Sequence, residues 1–386
     1  MYKILSDLNN YLFVLTIQKK IYLTCALFLF FLFAFPPNIL QKRVTKEWEP
    51  VEQVVQDFLN AKIQNPWQPA LDFRDESHFA KRDLRITPYL IGNFFQIKAI
   101  KLFYLQVILF PFFIYLLFVL LYRFSRAGIS TFYGVIALLF CYVGNSFFFD
   151  TLFLDSLGYF GLVISFFFLR NPILIPILLM TFFVDERTIA PTLILPLSAY
   201  LQHEKPQQGV KNLMAYLHQT LWINRTFWFV SLAILSYLAI RYWLYQKFGL
   251  TTPVGFKNGV SLIVASKFGL KVIVAYFSGL KAANLWLIMA LFVAYKWKDR
   301  WSVLWLMLIF LLVSLIGLSV EDITRSIAYG FPIALVSFQY LFWTRCKSHK
   351  EWAKEFQLMA LISILFPTYT LILNLTRIEA FAWLLK

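Results

Sequence analysis

The stretch "MTFFVDERTIAPTLILPL", residues 180–197, sets Asp185, Glu186 and Arg187 side by side inside an apolar run. Three adjacent ionisable groups are costly in hydrocarbon, so they belong at a membrane face, in a water-filled cavity or at a working site. Asp150 and Asp155 in "NSFFFDTLFLDSLGYF", and Glu321, Asp322 and Arg325 in "SVEDITRSIAYGFP", pose the same problem. A polar segment near the N-terminus adds Glu47, Glu49, Glu52, Asp57, Asp72, Asp75, Glu76 and Asp83, with Arg74, Lys81, Arg82 and Arg85. Arginine's planar fork binds phosphate bidentately, and a carboxylate held within hydrogen-bond reach of a hydroxyl can take its proton. Gathered at one membrane face, these groups would suit a phosphate-bearing lipid substrate and a proton-accepting base.

Each group also has a plainer explanation. Asp185 and Asp322 suit N-caps, where a carboxylate accepts backbone N–H bonds at the positive end of a helix. Arg325, three residues after Asp322, suits a helical ion pair with it. The basic stripe "HFAKRDLR" suits a solvated face against lipid headgroups. Asp155 resists such treatment, because it lies a turn inside an apolar segment and needs a partner. The argument for a site rests on convergence of these segments, not on any one residue.

The elements that would position them are read from the apolar runs. Of 386 residues, 60% are hydrophobic and 43 are Phe, with mean hydropathy +0.66. That composition indicates an all-α polytopic membrane protein forming a single membrane domain over 1–386. About eleven transmembrane helices are expected, at 21–36, 100–122, 130–149, 151–169, 172–184, 188–201, 226–245, 283–297, 301–319, 326–344 and 356–376. Merging the two short runs at 172–184 and 188–201 into one helix would put Asp185, Glu186 and Arg187 at mid-membrane, so they are kept apart. Lys and Arg then collect in alternate connections, which puts the N-terminus in the cytoplasm and the C-terminus outside. The outer segments hold 15 of the 20 acidic residues. Lys19 and Lys20 before a long apolar run without a cleavage site read as a retained signal anchor.

Two regions stand apart. Residues 38–98 form a first outer loop in which Val51, Val54, Val55 and Phe58 space out an amphipathic helix lying along the membrane, with Pro66, Pro69 and Pro88 breaking the chain. Residues 246–282 carry Lys247, Lys257, Lys267, Lys271 and Lys281 and no acid. Either that region is an interfacial or re-entrant helix that binds something anionic, or the topology changes there.

Several chemistries find no footing. The net charge of +16 has no soluble basic domain in which to hold nucleic acid. His78, His203, His218 and His349 are scattered, so they assemble no histidine-rich metal site, and Cys25, Cys141 and Cys346 read as buried, inert thiols. No nucleotide-binding glycine loop and no GxSxG elbow occurs.

The layout resembles the GT-C superfamily of membrane glycosyltransferases: a cytoplasmic N-terminus, a first span followed at once by a long acidic outer loop, then many spans with acids at their outer ends. The stretches "DLRITPYL", "FFFDTLFLDSLGYFGL", "FFVDERTIAPTLILPL" and "VEDITRSIAYGFPIAL" are similar to those of bacterial members. The resemblance implies a polyprenyl-phosphate-linked sugar as donor, membrane lipids as surroundings, the bacterial inner membrane as location and inversion at the anomeric carbon. It implies a loop carboxylate as general base, which maps onto Glu47 and Glu49, then Glu52 or Asp57, with the second acidic cluster of Asp72, Asp75 and Glu76 an equal alternative. Many members have an Asp at that place, whereas this loop offers only glutamates before Asp57. It also implies phosphate and substrate contacts from Arg82, Arg85, Arg187 and Arg325 with Asp155, Asp185, Glu186 and Asp322. Some relatives hold a divalent metal at such carboxylates, which leaves the cofactor open. A transporter or flippase for a lipid-linked or anionic solute, and a non-catalytic degenerate transferase, are the alternatives.

Overall fold

Helix-forming apolar runs, rich in Leu and Phe, decide the architecture, and polar residues at their ends decide where each helix stops. The computed structural model describes residues 17–33, 50–69, 82–149, 154–203, 218, 223–250, 252, 268–320, 322–344, 348–371 and 375–378. Within them the fold is all-helical apart from one small antiparallel hairpin, β1 (Thr368–Leu371) with β2 (Leu375–Ile378).

The N-terminal part holds α1 (Ile17–Phe33), α2 (Pro50–Gln64), α3 (Ile86–Phe94) and α4 (Ala99–Ser125). Then come α5 (Gly128–Leu139), α6 (Tyr142–Phe149), α7 (Asp155–Ser165), α8 (Leu174–Phe182), α9 (Ile189–Thr192) and α10 (Leu195–His203). The C-terminal part holds α11 (Arg225–Phe248), α12 (Lys271–Leu280), α13 (Ala283–Lys296), α14 (Arg300–Leu318), α15 (Ile323–Ala328), α16 (Phe331–Trp343) and α17 (His349–Leu365).

End signals are legible along the chain. Asn224 caps α11 by accepting from Thr226 N at 3.0 Å, and Gly249 at φ +70 ends it. Asp299 caps α14 by accepting from Ser302 N. Ser348 and Glu351 form a reciprocal capping box at the start of α17. Pro88 lies inside α3 instead of breaking the chain, because in the first turn its missing N–H would have had no helical partner.

Among the described residues four helical stretches are long and apolar enough to cross a membrane: α4, α11, α14 and the continuous run Ile323–Trp343 of α15 and α16. Two bent pairs bring the number to six if each is one span, α5 with α6 at 61° and α12 with α13 at 79°. The other expected spans correspond to shorter helices, such as the nine-residue α8 and the eleven-residue α7. Over 356–376 the helix ends at Leu365 and the hairpin follows. Pro367 supplies the stop, by disfavouring helical backbone at Phe366, which is extended at ψ 121. Residues 271–282, at the end of the basic region, are α12 and the elbow that turns it against α13; residues 251 and 253–267 lie outside the described chain.

The core centres on α16, which is buried throughout 331–342. Trp286 of α13, Phe338 of α16 and Phe356 of α17 pack with ring centroids 4.8–5.7 Å apart. At the periphery α11 exposes Trp228, Leu232, Leu235 and Leu238, and α14 exposes Leu304, Leu308, Leu311 and Leu315. Apolar stripes of that extent on the outside of a helical body fit a lipid surround.

A smaller apolar cluster carries the site. Phe58, Leu59 and Ile63 of α2 pack with Tyr89 of α3, Ala99 and Leu102 of α4, Leu154, Leu157 and Val184. The amphipathic helix expected from Val51, Val54, Val55 and Phe58 is therefore present, but its Phe58 face docks onto protein while Val54 is exposed. The side chain of Val51 lies outside the described set.

Candidate functional site

Where α3, α7, the 185–188 turn and α15 meet, charged side chains gather in the interior. The chain leaves α8 at Phe182 and forms a 3-10 turn, Glu186–Thr188. Asp185 caps that turn by accepting from Arg187 N at 3.0 Å, as the N-cap reading expects. The same carboxylate takes the Arg187 fork, Nε at 2.8 Å and Nη2 at 2.6 Å. Asp185 thus serves as both cap and ion-pair partner.

Arg85 arrives from a different direction. Thr87 of α3 is tied to the end of α8, its N donating to Phe183 O at 3.2 Å and its Oγ1 to Met180 O at 2.8 Å. These bonds set Arg85 so that Nη2 meets Asp185 Oδ2 at 2.7 Å and Nη1 lies 3.4 Å from Asp155 Oδ1. Asp155, fully buried at the first position of α7, also receives Arg325 Nε at 2.6 Å and lies 3.7 Å from Arg187 Nη2. The partner its sequence position demanded is therefore a set of three arginines.

The α15 side closes the group. Arg325 Nη1 reaches Asp322 Oδ2 at 2.5 Å, the expected (i, i+3) pair, while no side-chain cap is made by Asp322. Arg187 Nη1 donates to Ser326 Oγ at 2.7 Å, and the Arg187 guanidinium lies 5.1 Å from the centre of the Tyr329 ring. Tyr329 packs on Tyr159 at 4.7 Å, and Tyr159 Oη donates to Arg325 O. Packing around Gly158 is close here, since a Cβ would sit 3.2 Å from the Tyr329 ring and 3.4 Å from Thr188.

Arg82 is buried beside Arg85, and Tyr89 Oη donates to its carbonyl at 2.9 Å. Burial and then the positive charge of Arg85 push the Arg82 guanidinium down to about 9. Burial alone would raise the Asp185 carboxyl, but Arg187 and Arg85 outweigh it and hold the group well below the usual carboxylate range. Glu186 goes the other way, raised by burial and then by Asp185. Burial also raises the Asp322 carboxyl, against Arg325.

Some capacity stays unused. Arg85 Nε, Asp322 Oδ1 and Tyr329 Oη are buried without a hydrogen-bond partner. Leaving such atoms unpaired costs about 1–3 kcal/mol each, so the cluster offers donors and an acceptor beyond its own internal pairs.

The site residues expected from sequence divide cleanly. Arg85, Asp155, Asp185, Arg187, Asp322 and Arg325 are joined in one network, with Arg82 beside it and Glu186 within electrostatic reach of Arg241 on α11. Glu47 and Glu49 lie outside the described residues, as do Asp72, Asp75, Glu76, Asp150 and Glu321. Glu52 is on α2 with its side chain undescribed. Asp57 is exposed on α2 and accepts from Gln53 Nε2 at 3.3 Å. The aspartates of the network face arginines, and no group of three metal-ligating side chains gathers among the described residues, so these residues do not fit a metal centre.

Two elements of the site escaped the sequence reading. Ser326 and Tyr329 stand four residues after Asp322 and Arg325, one helical turn on the same faces, a spacing that could have flagged them. Lys62 and Asp83 form a buried ion pair at 3.2 Å, with Lys62 Nζ also donating to Gln68 O at 2.7 Å. Its members are 21 residues apart in sequence, and no local signal announces that. Comparison of the chain with known families, curated proteins and solved structures finds no match.

Proposed function

We propose that this protein is a membrane glycosyltransferase that takes a sugar from a polyprenyl-phosphate donor at the outer face of a bacterial inner membrane. The observation that carries this reading is the buried arginine–aspartate network, with its unpartnered Arg85 Nε, Tyr329 Oη and Asp322 Oδ1, in a helical body with an apolar periphery. The guanidinium and phenol are donors suited to a phosphate oxygen, and the carboxylate oxygen is an acceptor suited to a sugar hydroxyl. In this reading about eleven spans cross the membrane, with the N-terminus inside and the C-terminus outside.

The reaction needs a base that the first loop supplies, from Glu47, Glu49, Glu52 or Asp57. The carboxylate takes the proton of the acceptor hydroxyl as its oxygen bonds to the anomeric carbon. The bond from that carbon to the phosphate oxygen breaks, and the polyprenyl phosphate leaves with the electron pair. Arg85 and Arg82 stabilise the charge that develops on it.

Retention of polyprenyl phosphate by purified protein, read by native mass spectrometry, tests the lipid half. Arg82→Gln and Arg85→Gln should lower retention while the fold persists; retention indifferent to both would remove the phosphate site. Sugar transfer should cease in one of Glu47→Gln, Glu49→Gln, Glu52→Gln or Asp57→Asn, and full activity in all four would end the transferase reading. A second reading, a transporter or flippase, is favoured by the two broken helix pairs at 61° and 79°, since discontinuous helices often line solute sites. Movement of the lipid across a vesicle bilayer with no product formed would select it.

A further inference from the structure

The turn from α3 into α4 presents two phenylalanines outward. Phe94 is 80% and Phe95 63% exposed, with Leu90 beside them at 41%. The two rings meet edge to face, centroids 5.0 Å apart. Lys98 and Lys101 follow, both exposed, and neither pairs with an acid among the described residues.

This is a held turn. Gln96 takes the left-handed conformation at φ 52, and Ile97 N donates to Gly92 O at 2.9 Å, closing α3 with a 6→1 bond. Asn93 Nδ2 donates to Ile63 O at 2.9 Å, and Asn60 Oδ1 accepts from Ala99 N at 2.9 Å, so the turn is stitched to α2 on both sides. Gly92 permits the contact, since a Cβ there would lie 2.8 Å from Ile63. The aromatic pair therefore cannot fold back to bury itself without breaking these bonds.

Position supplies the partner. α4 has 27 residues, which is about 40 Å of helix, against a hydrocarbon core of about 30 Å. Its first turn, with Lys98 and Lys101, thus stands at headgroup level, and Phe94 and Phe95 stand with it. Aromatic rings beside lysines at that level are the composition of an interfacial anchor, and the lysine charge complements lipid phosphates. We propose that the α3–α4 turn is a lipid-surface anchor, which seats Phe94 and Phe95 below the phosphates of anionic phospholipids while Lys98 and Lys101 hold those phosphates. The opposite end of α3, about 13 Å away, carries Arg85 into the charged network. The anchor therefore sets the height of that network over the bilayer, whether the protein transfers a sugar or moves a solute.

The test uses full-length protein in nanodiscs, with Cys25→Ser and Cys346→Ser, and an environment-sensitive fluorophore on Phe95→Cys. Phosphatidylcholine discs with and without phosphatidylglycerol would carry a nitroxide quencher high in the acyl chain. A thermal transition matching the parent shows that the fold is kept, as the exposure of Phe95 leads one to expect. Blue-shifted emission with several-fold quenching, stronger with phosphatidylglycerol, supports the anchor. Lys98→Gln with Lys101→Gln should abolish the phosphatidylglycerol effect and leave much of the quenching. Water-like emission without quenching overturns the proposal, and quenching equal in both lipids overturns its ionic half. No substrate enters the readout, so the result stands apart from the transferase reading.

Discussion

At the scale of single residues, the buried charges divide into groups whose loss has different consequences. Asp185 accepts from Arg187 and Arg85 at 2.6–2.8 Å, so Asp185→Asn leaves guanidinium charge buried and short of a counter-charge. Breaking a buried pair on one side costs about 3–5 kcal/mol, and a thermal or denaturant shift of that size in detergent is expected. The pH dependence has a definite sign. The folded-state carboxyl lies below its unfolded value, so its stabilisation is complete above about pH 4 and is lost as pH falls towards the folded value. The stability gap between wild type and Asp185→Asn should therefore narrow below about pH 4, and a gap that widened there would contradict the assignment. The Lys62–Asp83 pair makes a separate test. Lys62→Met alone should destabilise by several kcal/mol, whereas Lys62→Met with Asp83→Leu should recover much of the loss, because no lone charge stays buried.

At the scale of elements, close helix approaches are what bring the charged ends together. α7 and α8 meet at Gly161, where a Cβ would lie 2.2 Å from Thr181 Oγ1. Thr181 cannot easily yield, since Oγ1 donates to Ile177 O at 2.7 Å in its own helix. Gly161→Val should cost about 1–3 kcal/mol by overpacking and should also loosen the network, because Asp155 rides on α7 and Asp185 follows α8. Thermal unfolding together with lipid retention would check both parts; unchanged stability would show that the helices part freely. At Gly279 of α12 a Cβ would lie 2.9 Å from Ile327 and 3.0 Å from Thr324 O of α15, so the bent pair and the Arg325 helix are also fitted closely to each other. Apolar runs mark α7 and α8 as helical but leave the region of α12 open. They could not mark Gly161 or Gly279 as contact points, because a small residue has no pattern of its own until its neighbour across the interface is known.

For the molecule as a whole, α4 is the longest of the described helices apolar enough to cross a membrane, and cations flank it at Lys98, Arg123 and Arg126. The proposed orientation puts its start outside and its end inside. Cysteines placed at Lys98 and Arg126, in protein lacking Cys25 and Cys346, should react differently with a membrane-impermeant reagent in intact cells. Labelling at 98, with 126 reacting only after permeabilisation, is expected. The reverse pattern would invert the molecule and carry the arginine–aspartate network to the cytoplasmic side, away from the donor proposed for it.

Composition and hydropathy alone indicated long apolar helices compatible with a membrane, because a chain so apolar can satisfy its backbone in lipid only through helices or a closed barrel. The residues of the network were also legible, since a charge inside an apolar run must be accounted for wherever it occurs. Their pairing was decided by tertiary structure. Asp155 and Arg325 are 170 residues apart, and only the packing of α7 against the neighbours of α15 brings them to 2.6 Å. The same holds for α2: the sequence shows an apolar face, but a hydrophobic stripe reads alike whether lipid or protein covers it. Burial of Phe58 against Tyr89 and Leu102 is a fact of packing, which no pattern within 15 residues of one helix can contain.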